Sequence, residues 1–184
     1  MSTGTPTEPQ GGMSPVLKAR IAGIFYLLTF VTGFAAMAMA GWAIANMIST
    51  VCYVFVTVLF YGLFKPVSAI LSLIAALFSL AGCALTFLNA FHVLPFNLNP
   101  LAVFGVYCVL IGWLIVRSTF LPRFLGMLMA IGGLGWLTFA SPSAKHLIPY
   151  NMIPGILAEG ALTVWLLIKG VSAARWHEMS RTGA

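Results

Sequence analysis

The chain has 184 residues, of which 61% are hydrophobic and 7% are charged, and its formal net charge is +6 at pH 7. About a quarter of the residues of a soluble globular domain are charged, so this composition excludes that class and indicates a polytopic membrane protein. The basic residues occur one or two at a time along the chain, which fits membrane orientation better than a nucleic-acid-binding surface. We therefore expect the lipid bilayer, and no nucleic acid, as a partner.

The N-terminal segment, residues 1–17, is predicted to be disordered because it begins with a stretch rich in Ser, Thr, Gly and Pro. Ser14 and Pro15 form a favourable N-cap and N1 pair that predicts the start of the first helix. The alternative is a cleaved signal peptide, since Lys18 and Arg20 precede an apolar run that ends in small residues. Against this alternative, the run is long for a signal peptide and a second apolar run follows at once.

Six apolar segments approach the roughly twenty residues that a helix needs to cross a bilayer. The connections between them are too short to hold a second folded unit. We therefore predict an all-α fold, a polytopic bundle of six transmembrane helices that forms a single domain over residues 18–171, with a short tail over residues 172–184. The predicted spans are residues 21–40, 44–64, 67–90, 98–116, 124–140 and 153–170.

The basic residues are distributed unequally between the two sides that six spans would create. Lys145 is the single cation in the connections of one side, and the other eight of the nine Lys and Arg residues lie on the opposite side. By the positive-inside rule, the sequence predicts a multi-pass protein of the cell (inner) membrane with both termini in the cytoplasm. The eight residues are Lys18, Arg20, Lys65, Arg117, Arg123, Lys169, Arg175 and Arg181.

Glu159 is the only formally charged residue well inside any predicted span. A carboxyl group inside the membrane is costly, and it indicates a functional site unless a structural role is shown. Gly155 and Thr163 lie one helical turn before and after it, so the three residues share one helix face. We expect this face to point into the bundle.

Polar residues on other helices are predicted to share the level of Glu159. One face of the second span and one face of the third carry them at three-, four- and seven-residue steps. Such faces are more often packing surfaces than ligand sites, so helix packing remains the alternative here, and the glycines of the fourth and fifth helices are predicted to pack helices. The predicted ligand-binding residues are Glu159, Asn46, Thr50, Tyr53, Thr86, Asn89 and Tyr107.

Motifs for chemistry are missing from the sequence. It contains no Asp, no H-E-x-x-H motif and no glycine-rich phosphate loop. His92 and His146 are both predicted near the outer surface, but no carboxylate is available there to orient them as metal ligands. We therefore expect no catalytic residues, no metal site and no cofactor.

Four segments of the chain resemble one known family of membrane proteins. They are KARIAGIFYLLTFVTG, YGLFKPV, VYCVLIGWLIVRSTFLPRFLGMLMAIGGLGWL and ILAEGALTVWLLIKGV. These segments are similar to the bacterial membrane proteins grouped as domain of unknown function 4386. The resemblance implies an integral membrane protein with six helices, and it implies no activity.

Three functional hypotheses follow for the predicted bundle. The first is binding or transport of a small molecule, lipid or proton in a polar pocket of the outer leaflet centred on Glu159. The alternative is a structural or accessory subunit that acts through an unidentified protein partner or as a homo-oligomer, with Glu159 as a hydrogen bond between helices. A membrane-embedded enzyme is the least favoured, since acid–base catalysis requires more groups than the sequence offers.

Overall fold

The structure, a computed structural model, describes residues 13–39, 43–91, 93 and 99–182. These residues form seven α-helices and two short 3-10 helices, with no strand among them, so the predicted all-α fold is confirmed. The α-helices are α1 (Pro15–Ala38), α2 (Ala43–Phe64), α3 (Ala69–Ala90), α4 (Pro100–Arg117), α5 (Arg123–Leu137), α6 (Ile153–Ile168) and α7 (Ala173–Thr182). The 3-10 helices are Thr138–Ala140 and Pro142–Leu147.

The described helices include enough long, apolar segments for a polytopic membrane protein. Five of them are long and apolar enough to cross a membrane: the first four helices, and α5 together with the 3-10 turn that follows it. The remaining span, α6, has 16 residues and meets the same requirement only together with α7, from which it is bent by 105°. The chain therefore has five to six candidate spans, and the prediction of a polytopic membrane bundle is confirmed.

Polar caps and prolines define the starts of three helices. The Ser14 hydroxyl accepts a hydrogen bond from the Leu17 backbone N–H at 3.3 Å, and Pro15 occupies the first turn of α1, as predicted. Ser68 caps α3 by the same kind of bond, and Asn99 caps α4, with Pro100 at its first position. Each cap satisfies a backbone donor that the helix itself leaves without a partner.

Several predicted boundaries differ from the structure. Helix α1 begins inside the segment that was predicted to be disordered, and residues 1–12 lie outside the described part of the chain. The fourth helix was predicted to begin at residue 98, but it begins at Pro100 because Asn99 caps it. The N-cap residue of α6 is Met152, and the amide of the preceding Asn151 donates to the Thr138 hydroxyl at 3.1 Å.

The six long helices form a ring in chain order. Each packs against the next one along the chain, and α1 packs against α6 to close the ring. Helices α1 and α2 are antiparallel, since Thr29 faces Ser49 and Tyr26, one turn earlier, contacts Tyr53, one turn later. A side chain that points inward from any helix therefore meets side chains from several others.

Glycines allow the closest approach in the ring, between α4 and α5. A Cβ atom at Gly112 would lie 2.6 Å from the Gly126 carbonyl oxygen, and one at Gly133 would lie 2.7 Å from the Gly105 carbonyl oxygen. Any larger residue would push the two backbones apart. The prediction that these glycines serve helix packing is thereby confirmed, and the resulting small separation is typical of membrane helices.

The short helix α7 lies across one end of the bundle. Gly170, with φ of 67°, forms the turn that separates it from α6. The Trp176 indole donates to the Leu63 carbonyl oxygen at 2.8 Å, and the Lys18 ammonium lies 5.7 Å from the centre of its ring. The Arg175 guanidinium donates to the Thr119 carbonyl oxygen at 3.1 Å. The start of α1 and the end of the described chain are therefore on the same end of the bundle, which we call the basic end.

Candidate functional site

Glu159 of α6 lies inside the ring and accepts hydrogen bonds from side chains of four other helices. One carboxylate oxygen, Oε2, accepts hydrogen bonds from the hydroxyls of Tyr26 at 2.7 Å and Tyr53 at 3.3 Å. The other, Oε1, accepts from the Trp136 indole N–H at 2.7 Å and from the Cys108 thiol at 3.7 Å. We call these five residues the Glu159 cluster. The side chains come from α1, α2, α5, α4 and α6.

All four groups around the Glu159 carboxyl oxygens can donate hydrogen bonds to them. A carboxylate offers about four lone-pair sites and no proton, and here four groups point a hydrogen at it. The indole N–H can only donate, and the hydroxyls and the thiol can donate as well. Glu159 is 8% exposed, and no ion pair involves it among the described residues. The carboxyl group is therefore held by neutral donors, with no cation beside it among the described residues.

A glycine permits the hydrogen bond between Trp136 of α5 and Glu159. Gly155 lies one turn before Glu159 on α6, and a Cβ atom there would overlap the Trp136 indole. Because position 155 has no side chain, the indole approaches α6 closely and its N–H reaches the carboxyl oxygen. The glycine one turn from the acid thus determines where the indole sits.

Aromatic rings surround the cluster. The rings of Tyr26 and Tyr53 meet edge to face with centroids 5.5 Å apart, and Tyr53 also contacts the rings of Phe104 and Tyr107 at 4.8 and 5.8 Å. Edge-to-face pairs at these separations stabilise beyond their buried area. The rings hold the two tyrosine hydroxyls in fixed positions at the carboxylate.

A cavity of about 320 Å³ borders the cluster on the side away from the basic end. The carboxyl-bearing residue itself forms part of its wall, together with residues from all six long helices. Phe34 and Met37, near the end of α1, line the cavity and are 48% and 63% exposed, so the cavity reaches the surface of the bundle there. We call this space the Glu159 cavity.

The walls of the cavity are mainly apolar and aromatic, with few polar groups. Asn46 and Ser49 of α2 and Thr29 of α1 supply polar atoms near the opening. The hydroxyls of Thr29 and Ser49 are engaged with backbone carbonyls across the α1–α2 contact. The carboxylate is therefore the dominant polar feature at the inner wall.

The structure brings five of the seven predicted site residues to this cavity. Glu159, Asn46, Thr50, Tyr53 and Thr86 line it, although the hydroxyls of Thr50 and Thr86 donate to the carbonyl oxygens of Asn46 and Gly82 within their own helices.

The other two predicted residues do not line the cavity. The Tyr107 side chain is buried behind Tyr53, and its hydroxyl has no hydrogen-bond partner among the described residues. Asn89 lies one turn closer to the end of α3 than Thr86 and is not among the described residues that form the wall. His92 lies outside the described residues.

Three residues of the cluster were not predicted from the sequence. Tyr26, Cys108 and Trp136 lie in apolar runs of α1, α4 and α5, where tyrosine, tryptophan and cysteine are common core residues. The signal available was chemical: a buried carboxyl group with no cation at its depth requires hydrogen-bond donors, and Tyr and Trp are the donors found in apolar helices.

Two further buried hydrogen bonds lie outside the cluster. The hydroxyls of Thr57 and Ser79 are hydrogen-bonded across α2 and α3, below the cluster. The Thr163 hydroxyl donates to the Glu159 carbonyl oxygen within α6 at 2.8 Å. Both interactions satisfy groups that would otherwise be unpaired in an apolar interior, and neither reaches the cavity.

Comparison with known proteins places the chain in a family. An uncharacterized protein of Archaeoglobus fulgidus is 31% identical over 125 residues, which cover 62% of this chain and 75% of that protein. No solved structure matches the chain. Residues 96–170, which include α4, α5 and α6 with Glu159, match the family described as "Domain of unknown function (DUF4386)". The chain is therefore an apolar helical bundle that belongs to the DUF4386 family.

Proposed function

We propose that this membrane protein binds a small molecule with an apolar body in the Glu159 cavity, either to hold it or to pass it across part of the bilayer. The observation that carries the proposal is that the buried carboxyl group forms part of the wall of a cavity of about 320 Å³ that opens at the surface of the bundle. A carboxyl group that served packing alone would have no need of adjoining empty space.

The size and the lining of the cavity support this proposal. Ligand pockets typically enclose about 300 to 1,000 Å³ and combine apolar and aromatic walls with a few polar groups that fix orientation. The Glu159 cavity lies at the lower end of that range. A lipid chain end, a small amphiphile and a proton are all compatible with a carboxyl group at the end of an apolar cavity. No catalytic step is proposed, since the groups around the carboxylate are themselves bonded to it.

We also propose that the cavity faces the outer leaflet of the inner membrane and that both termini are cytoplasmic. The described side chains of Lys and Arg lie at the basic end. Lys169, where α6 reaches this end, follows Glu159 by ten residues, which corresponds to roughly 15 Å along the helix. Positive charge near the ends of membrane helices favours the cytoplasmic side. The side from which Glu159 can be modified tests this orientation, as described at the end of the Discussion.

A second candidate function is a structural or accessory subunit in which Glu159 holds the ring together. The hydrogen bonds from four other helices favour it. In that case Glu159→Gln would unfold the bundle or release a co-purifying subunit or second copy, and filling the cavity would have no effect. In the binding function, Glu159→Gln leaves the bundle folded and impairs ligand binding.

A cavity-filling variant tests the binding function without touching the carboxyl group. A Cβ atom at Gly33 would lie 3.6 Å from the Ser49 hydroxyl, an ordinary contact, so Gly33→Leu fits the backbone and extends into the cavity. The probe is a short alkyl alcohol that carries a diazirine, added to proteoliposomes and activated by light. We expect mass spectrometry to locate the label on Phe34, Met37 and Met152 in the wild type and to show its loss in Gly33→Leu.

The matched control is Gly160→Leu, because nothing lies within 4 Å of a Cβ atom at that position. It adds the same side chain to a membrane helix outside the cavity, so labelling of the cavity residues should be unchanged. Equal labelling in both variants, or label confined to the outer surface of the bundle in the wild type, would exclude binding in the cavity.

A further inference from the structure

Resting on the proposed function, we infer that the ligand of the Glu159 cavity is an organic cation, an ammonium group attached to an apolar body. The inference combines three features of the site: a carboxyl group without a cation partner, an aromatic wall and the lack of a second carboxyl group among the described lining residues. Each of them is a property of the described residues.

The first feature is the balance of charge. Every hydrogen-bond partner of the Glu159 carboxylate is a neutral side chain, namely a hydroxyl, an indole or a thiol. These donors bond the carboxyl oxygens, but none of them carries a positive charge. Buried charges in proteins are normally paired, and eight of the nine Lys and Arg residues of this chain lie at the basic end. A cation that enters the cavity would complete the pair in a medium of low dielectric constant, where the attraction is strong.

The second feature is the aromatic wall. Three residues of the Glu159 cluster, Tyr26, Tyr53 and Trp136, line the cavity with their aromatic side chains. Three further aromatic residues, Phe30, Phe34 and Phe104, also line it. The faces of aromatic rings attract cations, and aromatic enclosures are the common recognition site for quaternary ammonium groups. The same rings accommodate an apolar body. An anion would meet the Glu159 carboxyl group and no described cation in the wall, so it is disfavoured.

The third feature distinguishes an organic cation from a metal ion. Hard cations such as Mg²⁺ and Ca²⁺ require about six to eight oxygen ligands, whereas Glu159 supplies the single carboxyl group among the described residues that line this cavity. Among the described residues, no group of three or more His, Cys, Asp or Glu side chains could hold a metal ion. An ammonium group with alkyl or aryl substituents is weakly hydrated, so it loses little hydration free energy when it enters such a site.

A pair of probes that differ only in charge tests the inference. Phenyltrimethylammonium and tert-butylbenzene have nearly the same shape, since a carbon atom replaces the charged nitrogen. Each is added as a competitor of the diazirine alcohol in phosphatidylcholine proteoliposomes, and its concentration is corrected for partition into protein-free vesicles. We expect the cation to prevent labelling of the cavity residues at a concentration at least about tenfold lower than the hydrocarbon.

The outcomes separate this inference from the proposed function. If both compounds compete equally, the cavity binds small molecules and the inference of a cationic ligand is wrong. If the hydrocarbon competes better, the inference is also wrong. If neither competes and the alcohol itself does not label the cavity, both the inference and the proposed function are overturned. The comparison uses the wild-type protein and does not depend on the folding of a variant.

A variant then assigns the preference to the carboxyl group. Glu159→Gln should remove the advantage of phenyltrimethylammonium over tert-butylbenzene while leaving hydrocarbon competition within about twofold. Glu178→Gln, the same substitution at an exposed position of α7, should leave the advantage intact. A preference that survives in Glu159→Gln, or that disappears equally in Glu178→Gln, would contradict the role of the Glu159 carboxylate.

Discussion

At the scale of single residues, the site depends on one carboxyl group and the donors around it. Glu159 has no cation beside it among the described residues, yet both of its oxygens are hydrogen-bonded. Removing one donor leaves a buried acceptor with fewer hydrogen bonds. The resulting loss of folding free energy exceeds the net contribution of a typical hydrogen bond, because the buried acceptor cannot bond to water instead. Tyr26 offers the most direct test of this effect, because its side chain is fully buried and its hydroxyl is 2.7 Å from Glu159 Oε2.

Tyr26→Phe removes that hydroxyl and keeps the ring that packs against Tyr53 and Phe60. We expect the free energy of unfolding in mixed detergent micelles to fall by about 1–3 kcal/mol. The matched control is Tyr150→Phe at a residue that is 74% exposed, for which a change within about 0.5 kcal/mol is expected. Equal effects of the two substitutions would show that the Tyr26 hydroxyl does not support the carboxylate.

The sequence predicts the acid but only part of its surroundings. Glu159 is recognisable because a lone charge inside an apolar run is costly wherever the chain folds. Tyr53 was predicted because it shares a polar helix face with Thr50 and Thr57. Tyr26 and Trp136 belong to no such pattern, since each has a single polar atom on an aromatic side chain and lies in an apolar run. Their approach to Glu159 depends on how the six long helices are arranged around it.

At the scale of elements, apolar length predicts the helices, whereas their ends depend on local bonds. Asn99 and Pro100 start α4 later than hydropathy indicates, because a side-chain cap and a proline define the first turn. Helix α7 was not predicted, since it is polar and only 10 residues long. Contacts of Trp176 with the ends of α1 and α2 hold it in place, and such contacts are not visible in the periodicity of α7 itself.

Contact between α5 and α6 depends on a glycine. Gly155→Ala adds a Cβ atom that overlaps the Trp136 indole, so the indole or the helix must shift. We expect a loss of about 1–3 kcal/mol in the free energy of unfolding, the usual cost of overpacking. We also expect a change in the indole fluorescence of Trp136, since its hydrogen bond to Glu159 is disturbed.

Two comparisons control this prediction. Gly160→Ala, where the new Cβ atom meets nothing within 4 Å, should not destabilise and could gain up to about 1 kcal/mol from the better helix propensity of alanine. In a Trp136→Leu background, Gly155→Ala should cost less than in the wild type, because the overlapping ring is gone. The same cost in both backgrounds would mean that the indole does not determine the need for glycine.

At the scale of the whole molecule, the ring divides into two ends of opposite character. The basic end holds α7, the described Lys and Arg side chains and the connections between α2 and α3 and between α4 and α5. The other end contains the Glu159 cavity. A cation drawn to the carboxylate would therefore approach from the end opposite the eight Lys and Arg residues of the basic end, where the field of the protein opposes it least.

Modification of the two carboxyl groups of the described chain from each side of the membrane tests the central claim most directly. A membrane-impermeant carbodiimide with a quaternary ammonium group is added outside intact cells and, in a separate experiment, to inverted vesicles. A carboxyl group that reaches the reagent adds to it and forms a stable N-acylurea, which mass spectrometry detects. We predict that external reagent modifies Glu159 and spares Glu178, that reagent on the cytoplasmic side does the reverse, and that Gly33→Leu prevents modification of Glu159. Modification of both residues from the same side, or of Glu159 from neither side, would contradict a carboxylate that is reached through a cavity opposite the basic end.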